Sequence, residues 1–307
     1  MASRKKKTAK KERKPAVALF VNLGILLMVA LTLACAAVQA NMVLVRRAEV
    51  TLEDLPQAFD GTTILYASDI DLCGINTPQK SGALFRQLQS LRPDLLILGG
   101  DYTSPSVFDM LNASDSGALP GGRLVADRNA FFQLLAGFET SLGKIAVASP
   151  EDPLDEGLSA TLSECGFTPL INTYARVGKD GEFIELVGIS SDDAIQSAAS
   201  VGYNRDACVI AVAYSPSAVP KRLTTEARDS GHWTDLILTG HTHGGQIMLF
   251  GHSVLPLTSQ EHANLCGWFT DTGVPILTTS GVGCEGVNMR MGSHAEVWLI
   301  TLRRPAR

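Results

Sequence analysis

"LTGHTHGGQI", residues 238–247, closes an apolar run with two histidines two positions apart and follows them with a glycine pair. The chain holds six histidines among 307 residues, so two of them placed here call for a reason. The apolar run before them reads as a buried strand. In extended backbone residues i and i+2 point the same way, so His241 and His243 are expected to reach one cavity. Gly244 and Gly245 then let the chain turn sharply and pass close to a ligand.

Two earlier runs end in a similar way. "TTILYAS" (62–68) stops at Asp69, with Asp71 two positions on, and "PDLLILGGD" ends at Asp101. Between them "PQKSGALFRQLQSL" has helical spacing of apolar residues, and a helix over about 123–142 leads into a third strand, "KIAVAS". Residues 103–122 read as a loop bearing Gly, Ser and Pro. Further strands are expected at 168–172, 183–189, 207–213 and 234–239, with helices near 156–164 and 216–227. "VPILTTS" and "AEVWLITL" read as closing strands. Strand–helix alternation predicts a parallel sheet with covered faces, and the strand-rich second half predicts mixed sheets. In such folds functional groups collect at the carboxyl ends of strands. Taken singly, an acid after a strand is a turn or cap residue, and a loop histidine is a satisfied polar group. Together, three strand ends deliver carboxylates and imidazoles, the ligands that borderline divalent metals favour.

On "DID" (69–71), "GGDYTS" (99–104) and above all "TGHTHGGQI", the chain resembles the calcineurin-like metallophosphoesterases. Within them it resembles a membrane-anchored bacterial group whose late motif reads G-H-T-H-G-G-Q. The resemblance covers roughly residues 60–302. It implies a four-layer α-β-β-α sandwich of two mixed sheets, with divalent metal ions between them and a phosphate ester as substrate. It implies Asp69, Asp71, Asp101, His241 and His243 as metal residues, Asp101 bridging two ions. Carboxylate and imidazole donors suit Mn, Fe, Zn and Mg alike.

The departures from that family bear on the second ion. Asp71 stands at a histidine position, which an oxygen donor can fill. Pro150 stands at a metal-binding asparagine, Glu151 at the histidine that assists the leaving group, and Tyr214 at a further histidine. One site keeps Asp69, Asp71, Asp101 and His243. The other keeps Asp101 and His241, with Glu151 or Asp152 as a substitute. One well-held ion and a weaker second are therefore expected, with Glu151 the candidate catalytic group by position. "GVGCEG" (281–286) matches a dinucleotide-binding pattern in letters only, since no helix follows it. It also lacks the arginine usual after its serine, because Gly281 directly follows Ser280. No G-x-S-x-G supports a serine hydrolase.

Charge divides the chain. Of 26 Lys and Arg, ten lie in residues 1–47 beside a single acid, leaving 16 basic against 30 acidic side chains in the rest. An acidic body argues against nucleic-acid binding, and it repels phosphorylated ligands unless a metal reverses the local sign. "SRKKKTAKKERK" precedes Ala16–Ala40, an uncharged run long enough to cross a bilayer. The expected organisation is a basic cytoplasmic tail (1–15), a transmembrane anchor (16–41), a linker (42–60) and the metallophosphoesterase-like domain (61–307), outside the cytoplasm. Two other readings of the N-terminus stay open: "VQA" (38–40) as a signal-peptide cleavage site, and "LTLAC" ending at Cys35 as a lipoprotein signal. Six cysteines without C-x-x-C spacing read as small buried hydrophobes. The function expected is metal-dependent hydrolysis of a phosphate mono- or diester, lipid-linked given the anchor. The alternative is an inactive binding or regulatory protein on the same fold.

Overall fold

The computed structural model describes residues 15–116, 121–152, 157–190, 207–219, 233–271 and 273–306. Nearly all of the basic tail (1–15), and most of the helix expected at 216–227, lie outside them. Helix α1 (Pro15–Asn41) is followed by β1 (Leu44–Thr51), β2 (Thr63–Ala67), α2 (Pro78–Leu88) and β3 (Leu95–Leu98). Next come α3 (Val107–Ser116), α4 (Gly121–Leu135), β4 (Lys144–Ala146), α5 (Leu158–Glu164) and β5 (Phe167–Pro169). The second half runs β6 (Tyr174–Lys179), β7 (Glu182–Ile189), β8 (Val209–Ala213) and β9 (Leu236–Thr239). It ends with β10 (Met248–Leu249), β11 (His252–Ser253), α6 (Ser259–Ala263), β12 (Gly267–Asp271), β13 (Val274–Thr278) and β14 (Glu296–Arg303).

Two six-stranded sheets result, ordered β1-β14-β2-β3-β4-β5 and β12-β13-β9-β8-β7-β6. Strands β2 to β5 are parallel, as are β7, β8, β9 and β13. Antiparallel partners flank both sets. Period-two alternation explains the layering. Ile64, Tyr66, Leu95 and Ile97 enter a core shared with Ile210, Val212, Leu236 and Leu238 of the second sheet. Their neighbours Leu65, Ala67, Leu96 and Leu98 face the other way, onto Phe85 of α2 and Phe131, Phe132 and Leu135 of α4. The outer face of the second sheet, with Val187, Val209, Ala211 and Ile237, is buried as well. The protein is thus an α/β sandwich built on two mixed sheets.

Local signals place the helices over that face. Thr77 caps α2 by accepting the Lys80 N–H, with Pro78 in the first turn.

Two expectations are corrected. Residues 42–60 are not a linker: β1 pairs in parallel with β14 from Leu44↔Glu296 to Thr51↔Arg303, and Leu52, Leu55 and Phe59 join the inter-sheet core. The reason is that β1 lies at a sheet edge with most side chains in solvent, so its "LVRRAEVT" lacks a buried-strand pattern. The folded unit therefore begins before residue 61. Likewise the loop expected over 103–122 contains α3 and the start of α4.

Helix α1 is long and apolar enough to cross a membrane by length and composition. It meets the domain only near its end. Ala36 and Ala40 are buried, the Ala36 carbonyl accepts the Arg290 N–H at 3.0 Å, and the Lys80 ammonium reaches the Asn41 side chain.

Phe132 anchors the helix layer, with its ring edge-on to Tyr102 at 4.8 Å and to Phe167 at 5.3 Å. Phe132→Ala should cost about 3–5 kcal/mol of stability, read from urea denaturation of the detergent-solubilised chain. Phe132→Leu should cost clearly less.

Candidate metal centre

Parallel strands deliver their following residues to one edge, and here edges from both sheets converge. Asp69 and Asp71 follow β2, Asp101 follows β3, Glu151 follows β4, and His241 and His243 follow β9. The His241 N–H donates to Asp69 Oδ1 at 2.7 Å, locking the two sheets together at this point. Within the first sheet the Asp69 N–H donates to Gly100 O at 3.0 Å and the Asp71 N–H to Asp101 O at 3.1 Å. Gly281 closes the floor: its φ is +72°, and a Cβ there would lie 2.6 Å from Asp69 Cβ.

Five of these residues share an unusual backbone. Asp69, Asp71, Asp101, His241 and His243 have φ of 52°, 48°, 53°, 72° and 50°, the left-handed region that L-residues occupy at a cost. The extended backbone expected for 241–243 is therefore not found. Thr242 instead caps a short 3₁₀ turn over His243–Gly245, accepting the Gly244 N–H. The glycine pair turns the chain as soon as the strand ends.

Among the described residues, distances bring together one group of three side chains and one pair. His241 Nδ1 lies 3.3 Å from Asp101 Oδ2, and donor atoms of Asp101, Glu151 and His241 all lie within 4.8 Å of one another. His243 Nδ1 lies 3.6 Å from Asp71 Oδ2, too far for a hydrogen bond. Asp69 Oδ2, Asp71 Oδ2, Asp101 Oδ1 and His243 Nδ1 are all buried without a hydrogen-bond partner. Asp152 belongs to neither group. Its carboxylate accepts the N–H of Ser149 at 2.9 Å, Asp101 at 3.1 Å and Tyr102 at 2.7 Å, tying the β4 loop to the β3 loop. Of the two acids weighed as substitutes, Glu151 is the one that reaches the cluster. Pro150 is exposed and brings no donor atom. Tyr214 sets its ring edge-on to His241, centroids 5.9 Å apart.

Electrostatics follow from this crowding. Burial, and then the charge of Asp101, push the Asp69 and Asp71 carboxyls well above the usual carboxylate range. Burial also opposes ionisation of Asp101, but the His241 hydrogen bond and charge outweigh it and hold the group low. For His241 the same pair wins against burial and raises the imidazole to about 9. Burial, with the Arg290 charge, lowers His243 to about 3, so that ring is neutral near pH 7. Buried oxygens and a neutral imidazole nitrogen without partners, in an acidic cluster, fit a divalent cation.

Two neighbours had no clear sequence signal. Glu261 Oε1 lies 3.9 Å from His241 Nε2 and accepts the Ser215 and Ser217 hydroxyls at 2.7 and 2.8 Å. Its own motif, Thr258–Glu261, is a capping box, so it reads as a helix start. Arg290 is fully buried. Its guanidinium donates to the carbonyls of Gly283 at 2.7 Å, Ser280 at 2.6 Å and His243 at 3.0 Å.

No family model matches the chain. It is 25% identical over 271 residues to the "Transmembrane protein with metallophosphoesterase domain" of Danio rerio, covering 83% of this chain. It spans 56% of that relative's length. It is 23% identical to an "Uncharacterized metallophosphoesterase" of Aquifex aeolicus, over 84% of this chain and 91% of that protein. It is 27% identical to "Phosphodiesterase YaeI" of Escherichia coli, over 69% and 71% respectively. Among solved structures, the phosphopantetheinyl hydrolase of Mycobacterium tuberculosis is 11% identical over 73% of this chain and 91% of its own, with a TM-score of 0.40. The curated relatives support the metallophosphoesterase family, a phosphoesterase-like function and the use of a divalent metal.

Metal entry must displace protons from these groups. With His241 at about 9 in the metal-free protein, metal affinity should rise from about pH 6 to about pH 9 and then level off. Calorimetric titrations with Mn²⁺ in buffers of different ionisation enthalpy measure both the affinity and the protons released. Affinity independent of pH across that range would contradict a metal on His241.

Proposed function

We propose that this chain is a membrane-anchored, metal-dependent phosphoesterase whose domain lies outside the cytoplasm and whose substrate is a lipid-linked phosphate mono- or diester. The observation that carries the reading is the set of four partnerless buried donor atoms on Asp69, Asp71, Asp101 and His243. Asp69, Asp71, Asp101 and His243 would hold one ion, and Asp101, His241 and Glu151 a second, weaker one. Bound ions supply positive charge to the phosphoryl oxygens and make water acidic enough to attack near neutral pH.

The chain's own residues account for the rest. The left-handed strand ends fix the donors before a ligand arrives, which limits reorganisation. Asp152 holds the Asp101 backbone, and Arg290 holds the His243 carbonyl. A second ion, if held by Glu151, would keep that carboxylate from protonating the leaving oxygen. Turnover is therefore slow, because such acid help is typically worth about 10²–10⁴-fold. The anchor orientation rests on the basic tail, which stays on the cytoplasmic side.

Pro150 and Tyr214 favour a second reading, that of a protein which binds a phosphate ester without cleaving it. Hydrolysis of bis(4-nitrophenyl) phosphate by the full chain in Mn²⁺ separates the two. Slow, metal-dependent turnover that falls about 10²-fold or more in Asp101→Asn supports hydrolysis. Glu151→Gln should lower the bound metal per chain from above one toward one. Inorganic phosphate binding without turnover in the metal-loaded protein would instead establish the second reading.

A further inference from the structure

The loop Glu285–Met291 joins three features. The Arg290 N–H donates to the Ala36 carbonyl of α1 at 3.0 Å. The Gly286 carbonyl accepts the N–H of Val107, the first residue of α3, at 3.1 Å, and the Met291 carbonyl accepts that of Met248, the first residue of β10, at 2.8 Å. Helix α3 and the β10–β11 hairpin therefore flank the point where α1 leaves the domain. The loop also borders the metal centre, because the Gln246 side chain accepts the Glu285 N–H and donates to its carbonyl, each at 2.9 Å.

Length sets the level of the bilayer. Residues 16–35 carry no charge, and about 20 helical residues at about 1.5 Å each span the ~30 Å hydrocarbon core. Ala36, a buried residue near the end of the helix, then stands where α1 leaves the hydrocarbon. Elements bonded to this loop and its neighbours carry large apolar side chains exposed to solvent. Phe108 of α3 is 76% exposed, Ile75 67%, and Phe250 at the hairpin tip is fully exposed. Val287 of the junction loop is exposed too. Three of them lie on segments that leave the centre: Ile75 after Asp71, Phe108 after Asp101 and Phe250 after His243. Exposed apolar groups gathered at one end of a protein mark an interaction surface.

We propose that Ile75, Phe108, Phe250 and Val287 form a rim that inserts into the interfacial zone of the leaflet from which α1 emerges, so that the metal centre opens toward the bilayer surface. This rests on reading α1 as a membrane anchor. The body carries 16 basic against 30 acidic side chains, so charge does not draw it to an anionic leaflet. Apolar insertion is the attraction this face offers.

Full-length Phe108→Trp and Phe250→Trp, reconstituted in phosphatidylcholine vesicles brominated high on the acyl chains, test this. Both positions are exposed, so neither change disturbs packing. The added tryptophans should lose emission relative to non-brominated vesicles, whereas wild type and Phe183→Trp should not. Phe183 lies at the opposite, N-terminal end of β7. Flotation with the vesicles is measured on the same samples. Chains that float without quenching at 108 and 250, or with equal quenching at 183, overturn the rim and leave the anchor standing. Chains that do not float overturn the anchor reading and the rim with it.

Discussion

Asp69, Asp71 and Asp101 are three carboxylates buried at the ends of two paired parallel strands, β2 and β3. Neighbouring strands stand about 4.8 Å apart, so parallel pairing alone places each acid in the field of the others. All three side chains are buried, so bulk water screens them poorly. What relief the protein supplies goes mostly to Asp101, through His241 on the facing sheet. Asp69 and Asp71 are left with raised carboxyls and bare oxygens. Such an arrangement fits a cation.

Arg290 provides positive charge nearby and eases Asp71, but burial and the Asp101 charge outweigh it. Its donors are spent on the carbonyls of Gly283, Ser280 and His243 and on the Ser293 hydroxyl. The guanidinium thereby gathers the turn after β9 and the loop after β13 around one fully buried group, while its charge helps keep His243 neutral. Its backbone N–H is bonded to α1. One residue thus links the geometry around His243 to the point where α1 leaves the domain.

Most of the sandwich was legible because buried strands and helices have periods that a sequence displays. The strand-end acids and the histidine pair were legible because each closes an apolar run. What was not legible depends on partners distant in the chain. Strand β1 becomes a strand through β14, more than two hundred residues later, and its exposed "LVRRAEVT" offers no periodicity. Helix α3 was hidden by its Gly-, Ser- and Pro-bearing surroundings. Glu151 and Asp152 are adjacent in sequence, and only their hydrogen bonds show that one braces a loop while the other faces the cluster. Glu261 carries a helix-capping signature that masks its approach to His241. The backbone at 241–243 was misread as extended because spacing says nothing about φ.

The left-handed conformation shared by Asp69, Asp71, Asp101, His241 and His243 has a consequence for how this protein can change. Each such residue holds backbone strain of order 1 kcal/mol or more, which glycine would release. For Asp69 that gain is offset, because glycine would also leave the His241 N–H that bonds across the two sheets without its partner. Where the side chain makes no bond across the sheets, relief of strain and loss of the side chain run in one direction, and only a use for the side chain opposes them. A lineage without that use should lose such residues early, and keep Asp69 longest for the bond it accepts across the two sheets.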